Sequence, residues 1–388
     1  MNLAGNTTIL DSNVSYSLIC LSHLRWDFVY QRPQHLLSRF ARARQVFFFE
    51  EPIFSDEPTR LDVSRREDNL FVLVPRISNS DRDSRNVTDI EREMLDEFLR
   101  AEDIKDFVLW FYTPMALDYA AHLEPLATVF DCMDELSAFK FAPPELIENE
   151  RKLLEKADLV FTGGQSLYEA KRDKHAKVFA FPSSIDVAHF KQARENLPEL
   201  ADQQNIPHPR FGFCGVIDER MDIGLLARAA DLRPEWQFVM IGPIVKISDE
   251  DLPRRANIHY LGGKDYKELP AYISGWDIAT MPFAMNDATR FISPTKTPEY
   301  LAAGKFVIST PIRDVVRPYG ELNLVEIAST AEEFVAAGEK LLANEKGEWL
   351  ERVDEFLAHI SWDKTFGEMT RLIDEEIAGK PKAASRAV

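Results

Sequence analysis

Short apolar runs alternate along this chain with longer stretches in which apolar residues recur every three or four positions. The short runs are rich in β-branched and aromatic residues, with polar or turn residues between them, so they read as buried strands. In the first half they fall at 16–21, 45–49, 69–74, 107–112, 127–131, 158–162 and 177–181. Helical periodicity fills several of the gaps, at 33–43, 88–100, 144–156 and 165–173. Such alternation predicts a parallel sheet with both faces covered. Residues 191–209 break the pattern: polar, proline-bearing and aperiodic, they read as a linker. The alternation then restarts, with strands at 210–214, 236–242, 257–261, 277–282, 306–310 and 323–327 and helices at 222–230, 267–274, 298–303 and 331–342. The expected fold class is α/β, with two Rossmann-like doubly wound domains, over 1–190 and 210–358. Ligands in such sheets lie beyond the carboxyl ends of the strands. Two such edges facing one cleft suit group transfer, each domain holding one reactant and closure excluding water. The tail 379–388 is small and polar, and is expected to be disordered.

Composition narrows the picture. At 388 residues the chain is long enough for two or three cores. A net charge of -18 argues against nucleic acid as a partner. The three cysteines, Cys20, Cys132 and Cys214, sit in or beside apolar runs without metal-ligand spacing, which suits a reducing compartment. Residues 1–15 are polar and lack a signal-peptide core. No apolar run approaches the ~20 residues of a membrane span. The expectation is a cytoplasmic protein that meets a membrane, if at all, from the surface.

The densest chemistry lies in the run from Phe291 to Thr310. It sets Ser293, Thr295, Lys296 and Glu299 at the head of a helix that ends at Gly304 and feeds a β-branched strand. A lysine there suits a phosphate, and a carboxylate one helical turn on can accept hydrogen bonds from a diol. Phosphate plus diol describes a nucleotide. Upstream, Gly215 makes a tight turn after a strand and Arg220 heads the next helix, either to meet a diphosphate or to join a capping network with Asp218 and Asp222. Gly262 to Tyr266 follow another strand, with backbone groups open to a nucleobase edge. Lys246 ends a further strand, as a phosphate ligand or a solvated lysine.

Together these residues resemble the donor-binding half of GT-B glycosyltransferases of the group 1, or family 4, type. The resemblance implies a nucleotide-sugar donor, UDP-linked, as cosubstrate rather than a cofactor. It implies donor contacts from Gly215, Arg220, Gly262, Tyr266, Ser293, Thr295, Lys296 and Glu299, with Glu299 on the ribose. The family's Glu-x7-Glu signature is broken here, because its first position is Phe291. In the family that residue helps hold the transferred sugar. Glu299 also has a plainer reading, as a carboxylate stabilising its helix.

The first half carries the remaining candidates. The loop from Ser22 to His35 holds His23, Asp27, Arg32 and His35, groups that bind or transfer protons. Arg25, Arg32, Arg39, Arg42 and Arg44 make a basic run that reads as an acceptor-binding surface for a lipid-pyrophosphate or an anionic membrane, or as the solvated face of a helix. Arg25 and Arg32 are the acceptor-binding candidates. Residues Asp131, Asp134 and Glu135 end a strand, and an inverting transfer needs a base for the acceptor hydroxyl. This stretch is similar to the region of xanthan-type glucuronosyltransferases that carries an Asp-x-Leu-Ser aspartate. Asp134 takes that position, with Asp131 and Glu135 as rivals, and His23 and Asp27 stand beside it as catalytic candidates. No cluster has metal-ligand spacing, and Arg220 with Lys296 would supply the positive charge.

The segment from Ser361 to Phe366 resembles the family's closing helix, expected over 359–378 and crossing back to the first domain. The opening run from Trp26 to His35 resembles a teichuronic-acid-type bacterial subgroup. The resemblance thus implies a metal-independent glycosyltransferase acting on a glycan or lipid-linked acceptor in cell-envelope or exopolysaccharide synthesis. Two alternatives stay open: a GT-B scaffold that only binds nucleotide or a partner, and a sugar-nucleotide epimerase.

Overall fold

The computed structural model describes residues 15–195 and 197–380. Two sheets organise them. The first has nine strands: β1 (Ser17–Ser22), β2 (Val46–Glu50), β3 (Ile53–Ser55), β4 (Arg60–Glu67), β5 (Leu70–Ser78), β6 (Phe107–Phe111), β7 (Ala127–Cys132), β8 (Leu159–Thr162) and β9 (Val178–Ala180). Their order is β3-β5-β2-β1-β6-β7-β8-β9, with β4 added antiparallel to β5. The second sheet is parallel and has six: β10 (Arg210–Cys214), β11 (Gln237–Ile241), β12 (Ile258–Gly262), β13 (Ile278–Met281), β14 (Phe306–Ser309) and β15 (Glu326–Ile327), in the order β12-β11-β10-β13-β14-β15. Strand order reverses beside β1 in one sheet and beside β10 in the other. The crevices for ligands therefore open after β1 and β6, and after β10 and β13.

The central strands are buried on both faces, as continuous apolar runs such as Phe107–Phe111 require. β3 and β4 are additions to the sequence expectation. Residues 60–67 alternate only weakly and are half-exposed to exposed, so their strand rests on pairing with β5 rather than on burial.

Each sheet has its own core, and two elements cross between them. The helix Trp362–Gly379 follows the second domain but places Trp362, Met369, Leu372 and Ile373 in the first domain's core. Arg39 and Arg42 both pair with its Asp363, at 3.1 and 3.0 Å. The segment read as a linker is packed, not loose. Arg194 pairs with Asp354 at 2.7 Å, and the fully buried Gln203 bonds to the Tyr272 carbonyl and the Trp276 indole. The tail expectation needs a correction at its start: Gly379 ends that helix and Lys380 pairs with Asp158 at 2.7 Å. Residues 381–388, and residues 1–14 of the N-terminal reading, lie outside the described residues. Among the described residues no helix is long and apolar enough to cross a membrane.

Candidate functional site

The carboxyl ends of the two sheets face each other across a cleft. One pocket there draws Arg32, Asp134, Gly163 and Ser183 from the first domain and Val216, Arg220, Ser293, Thr295 and Lys296 from the second. A wider pocket adjoins it at Val216. It lies between the loop 26–30 and the turns Gly215, Gly242 and Gly263–Tyr266.

β7 sets the first domain's chemistry. Its run ends in three carboxylates that go to three different places. Asp131, fully buried, takes a two-pronged bond from Arg32 at 2.9 and 3.0 Å. Glu135 turns into the domain and meets the buried Lys171 at 2.6 Å, which also holds Glu150. Asp134 points into the cleft, and among the described residues no cation lies within ion-pair distance of it. Burial pushes its carboxyl up to about 6, against the pull of Arg220, Arg32 and Lys246.

The second domain supplies the cations. Gly215 has φ +153°, and a Cβ there would fall 2.1 Å from Lys296 Cε, so the turn exists only as glycine with the lysine folded over it. Lys296 is half-buried, and among the described residues no carboxylate lies within ion-pair distance of its ammonium. Burial lowers its pKa, opposed by Glu299. Arg220 is held by Asp218, Nη2 to Oδ2 at 2.6 Å and Nε at 2.9 Å, so the capping reading describes one edge of the guanidinium. The side chain still lines the cleft and is 25% exposed. Glu299 lies one turn beyond Lys296, and burial pushes its carboxyl up to about 7 against the pull of Lys296. It lines neither pocket; it stands behind them within electrostatic reach of Tyr266 and Cys214.

Several candidates sit elsewhere than expected. Arg25 is spent on Glu50 at 3.0 Å and on the Pro52 carbonyl, and Arg32 on Asp131 and the Phe181 carbonyl. Neither is a free acceptor ligand. The other arginines of the run are also engaged, Arg39 and Arg42 with Asp363 and Arg44 over the Tyr16 ring at 3.9 Å. The run is therefore a set of internal ties rather than a basic face. Asp27 is 66% exposed and paired with Arg66 at 2.6 Å, on the wider pocket and not beside Asp134. His23 lines neither pocket, its Nδ1 is buried without a partner, and burial lowers its pKa to about 4, so it is neutral near pH 7. His35 is buried and stacked on Trp362 at 4.7 Å. Tyr266 has both ring faces covered, by Tyr30 and His189, each at 4.3 Å, and offers none to a base. Gly262 has φ +70° and sits behind the pocket, whereas Gly263, Lys264 and Asp265 line it. Ser293 and Thr295 do line the cleft, and Ser293 also accepts from Ser183 across the domain boundary.

The structure adds residues that sequence reasoning passed over. Lys171 is 1% exposed and separates the roles of Asp134 and Glu135; a lone lysine in a helical pattern gave no signal. Asp314 of the second domain accepts from the Ser166 backbone N–H at 3.0 Å in the first, against Gly164, where a Cβ would meet its Oδ2 at 2.2 Å. Phe291 packs on the first domain's core, an apolar contact where the signature has a carboxylate.

Comparison with known proteins bears on this arrangement. The structures of a sucrose-phosphate synthase from Thermosynechococcus elongatus (TM-score 0.69, 15% identical, covering 94% of this chain and 100% of that one) and a UDP-forming trehalose-phosphate synthase from Burkholderia xenovorans (TM-score 0.67, 12%, 95% and 100%) share the whole two-domain layout. So does an E. coli structure described as trehalose-6-phosphate bound with UDP-2-fluoro glucose (TM-score 0.65, 15%, 93% and 99%). The chain has the GT-B fold. Within it, residues 208–344 match the family described as glycosyl transferases group 1, a span that holds β10 to β15 and the cleft residues Arg220 and Lys296. A putative teichuronic acid biosynthesis glycosyltransferase of Bacillus subtilis (strain 168), TuaH, is 25% identical over 263 residues. That match covers 63% of this GT-B chain and 66% of the relative, just under two thirds of its length.

Proposed function

We propose that this chain is a glycosyltransferase that moves a sugar from a UDP-sugar to a hydroxyl of a glycan or lipid-linked acceptor in cell-envelope polysaccharide synthesis. One observation carries the reading: the carboxylate of Asp134 and the ammonium of Lys296, neither in an ion pair among the described residues, line one cleft from opposite domains, with Arg220 beside the lysine. The diphosphate lies on Lys296 and Arg220 over the Gly215 turn, and the nucleoside extends into the wider pocket toward Gly263–Asp265. Asp134 takes the proton of the acceptor hydroxyl. The acceptor oxygen attacks the anomeric carbon, the bond to the diphosphate breaks, and the departing charge falls on the two cations. Attack from the face opposite the departing diphosphate inverts the anomeric centre. The cations do the work a metal would do, so transfer is expected to survive a chelator. The match to group 1 enzymes supports transfer, and the teichuronic acid relative supports an envelope glycan. Structural neighbours bound to UDP-2-fluoro glucose or described as UDP-forming support the donor.

The test is product analysis with a panel of UDP-sugars, with and without glycan acceptors, in the presence of EDTA. The expected result is acceptor-dependent release of UDP and an inverted glycoside. Conversion of the UDP-sugar to its epimer without acceptor, or binding without turnover across the panel, would overturn the reading.

A further inference from the structure

The loop that carries Asp134 is held at both ends, by different domains. At its root, Glu135 is tied to Lys171 inside the first domain, and the Asp134 carbonyl accepts from the Cys132 thiol at 3.5 Å. The loop then makes a short turn at Leu136–Ala138, which packs against the turn Asp287–Thr289 of the second domain. Its next residue is Phe139. The ring lies 5.5 Å from the Arg220 guanidinium and 4.7 Å from the Lys246 ammonium, both measured to the ring centroid. Those cations come from the loops after β10 and β11, so a first-domain aromatic is gripped by two second-domain charges. The grip is built in. Lys246 holds a left-handed φ of +63°, unusual for a residue with a side chain, and its ammonium stands 3.5 Å from Glu219. Arg220 is locked by Asp218 and leaves its free edge toward cleft and ring.

Resting on the transfer reading above, we propose that Phe139 is a positioning residue of the reaction: its contact with Arg220 and Lys246 sets the Asp134 loop against the diphosphate-binding face. The same guanidinium then serves both the donor and the loop that bears the base. The ring thus sets where the base stands relative to the donor-binding face, although Phe139 lines neither pocket. A leucine would fill the space without the ring's negative face.

Phe139→Leu and Phe139→Tyr test this against wild type, with transfer rate, UDP affinity by calorimetry and apo melting temperature read in parallel. The expected result for Phe139→Leu is a kcat lowered about 5- to 30-fold, the size of two lost cation–ring contacts. UDP affinity stays within about twofold, and the melting temperature falls by no more than a few degrees, the cost of the two contacts themselves. Phe139→Tyr, which keeps the ring, restores kcat. In a Phe139→Leu/Lys246→Met double variant the losses are smaller than the product of the single ones, because both remove the same contact. Wild-type kcat in Phe139→Leu would overturn the proposal while leaving the transferase reading intact. So would equal losses in Phe139→Leu and Phe139→Tyr, or a loss accompanied by a fall in melting temperature well beyond a few degrees. A wild type that transfers no sugar would overturn the functional reading and this proposal together.

Discussion

The two faces of the cleft are built on opposite electrostatic plans. On the first-domain face nearly every charge is answered internally: Arg32 by Asp131, Arg25 by Glu50, Glu135 by Lys171. Among the described residues, Asp134 is the carboxylate of β7's run that is left over. On the second-domain face the leftover is positive: among the described residues Lys296 has no carboxylate within ion-pair distance, and Arg220 keeps one edge free of Asp218. Unpaired charge in a half-buried site costs stability, because burial takes water away and nothing replaces it. Each face therefore keeps one unneutralised sign, and the two signs match a proton acceptor and a diphosphate holder. A charged residue's count of neighbours says less about its role than whether those neighbours already satisfy it.

That division of labour can be broken by experiment. The largest effect is expected on the first-domain face. Asp134→Asn should lower the transfer rate by at least ~100-fold, as loss of a general base does, with UDP affinity nearly unchanged. A rate near that of wild type would remove Asp134 from the site.

Next comes pH. Burial raises the Asp134 carboxyl to about 6, so the base is ionised above that value and protonated below it. The rate with limiting acceptor should fall about tenfold per pH unit below about 6, in a profile that Asp134→Asn flattens. A flat wild-type profile between pH 5 and 7 would contradict the assignment.

On the other face, Glu299→Gln sharpens the comparison by separating binding from stability. Its folded-state carboxyl is raised to about 7, so ionisation costs the fold stability progressively as pH rises from the ordinary carboxylate value to about 7. The amide escapes that cost. At pH 8 the apo variant should melt no lower than wild type, and because Glu299 stands behind the pockets rather than in them, UDP affinity should fall by no more than about fivefold. Lower melting with unchanged UDP affinity would make Glu299 a helix-stabilising residue instead.

The smallest effect is expected at the boundary itself. Asp314→Ala removes the bond to Ser166 and should cost about 1 kcal/mol of stability, as a lost cap does. UDP affinity should not move. A large loss of affinity would mean that this contact also shapes the donor site.

Much of this was legible in the sequence. The central strands are continuous apolar runs, and such runs declare themselves; the α/β alternation and the two sheets follow from them. The exposed β4 did not declare itself, because it exists by pairing and its residues are mostly polar. In the site, the cleft positions of Lys296 and Gly215 were legible because their runs resemble a known donor-binding pattern. The arginines misled for a physical reason. Charge composition is local in sequence, but Arg32 finds its partner 99 residues away and Arg39 finds its own 324 away. Tyr266 misled similarly, since only the folded chain shows that Tyr30 and His189 cover its ring. Phe139 carried no signal at all: its role depends on two cations brought by another domain.

The account rests on the claim that the cations of one domain hold the donor and the carboxylate of the other does the chemistry. Calorimetric titration of UDP into wild type, Lys296→Ala and Asp134→Asn tests it in one measurement. Loss of a charge-assisted bond to phosphate should cost Lys296→Ala about 1.5–3 kcal/mol, roughly 10- to 150-fold in affinity, while Asp134→Asn binds UDP like wild type. Unchanged affinity in Lys296→Ala, or equal losses in both variants, would contradict the account.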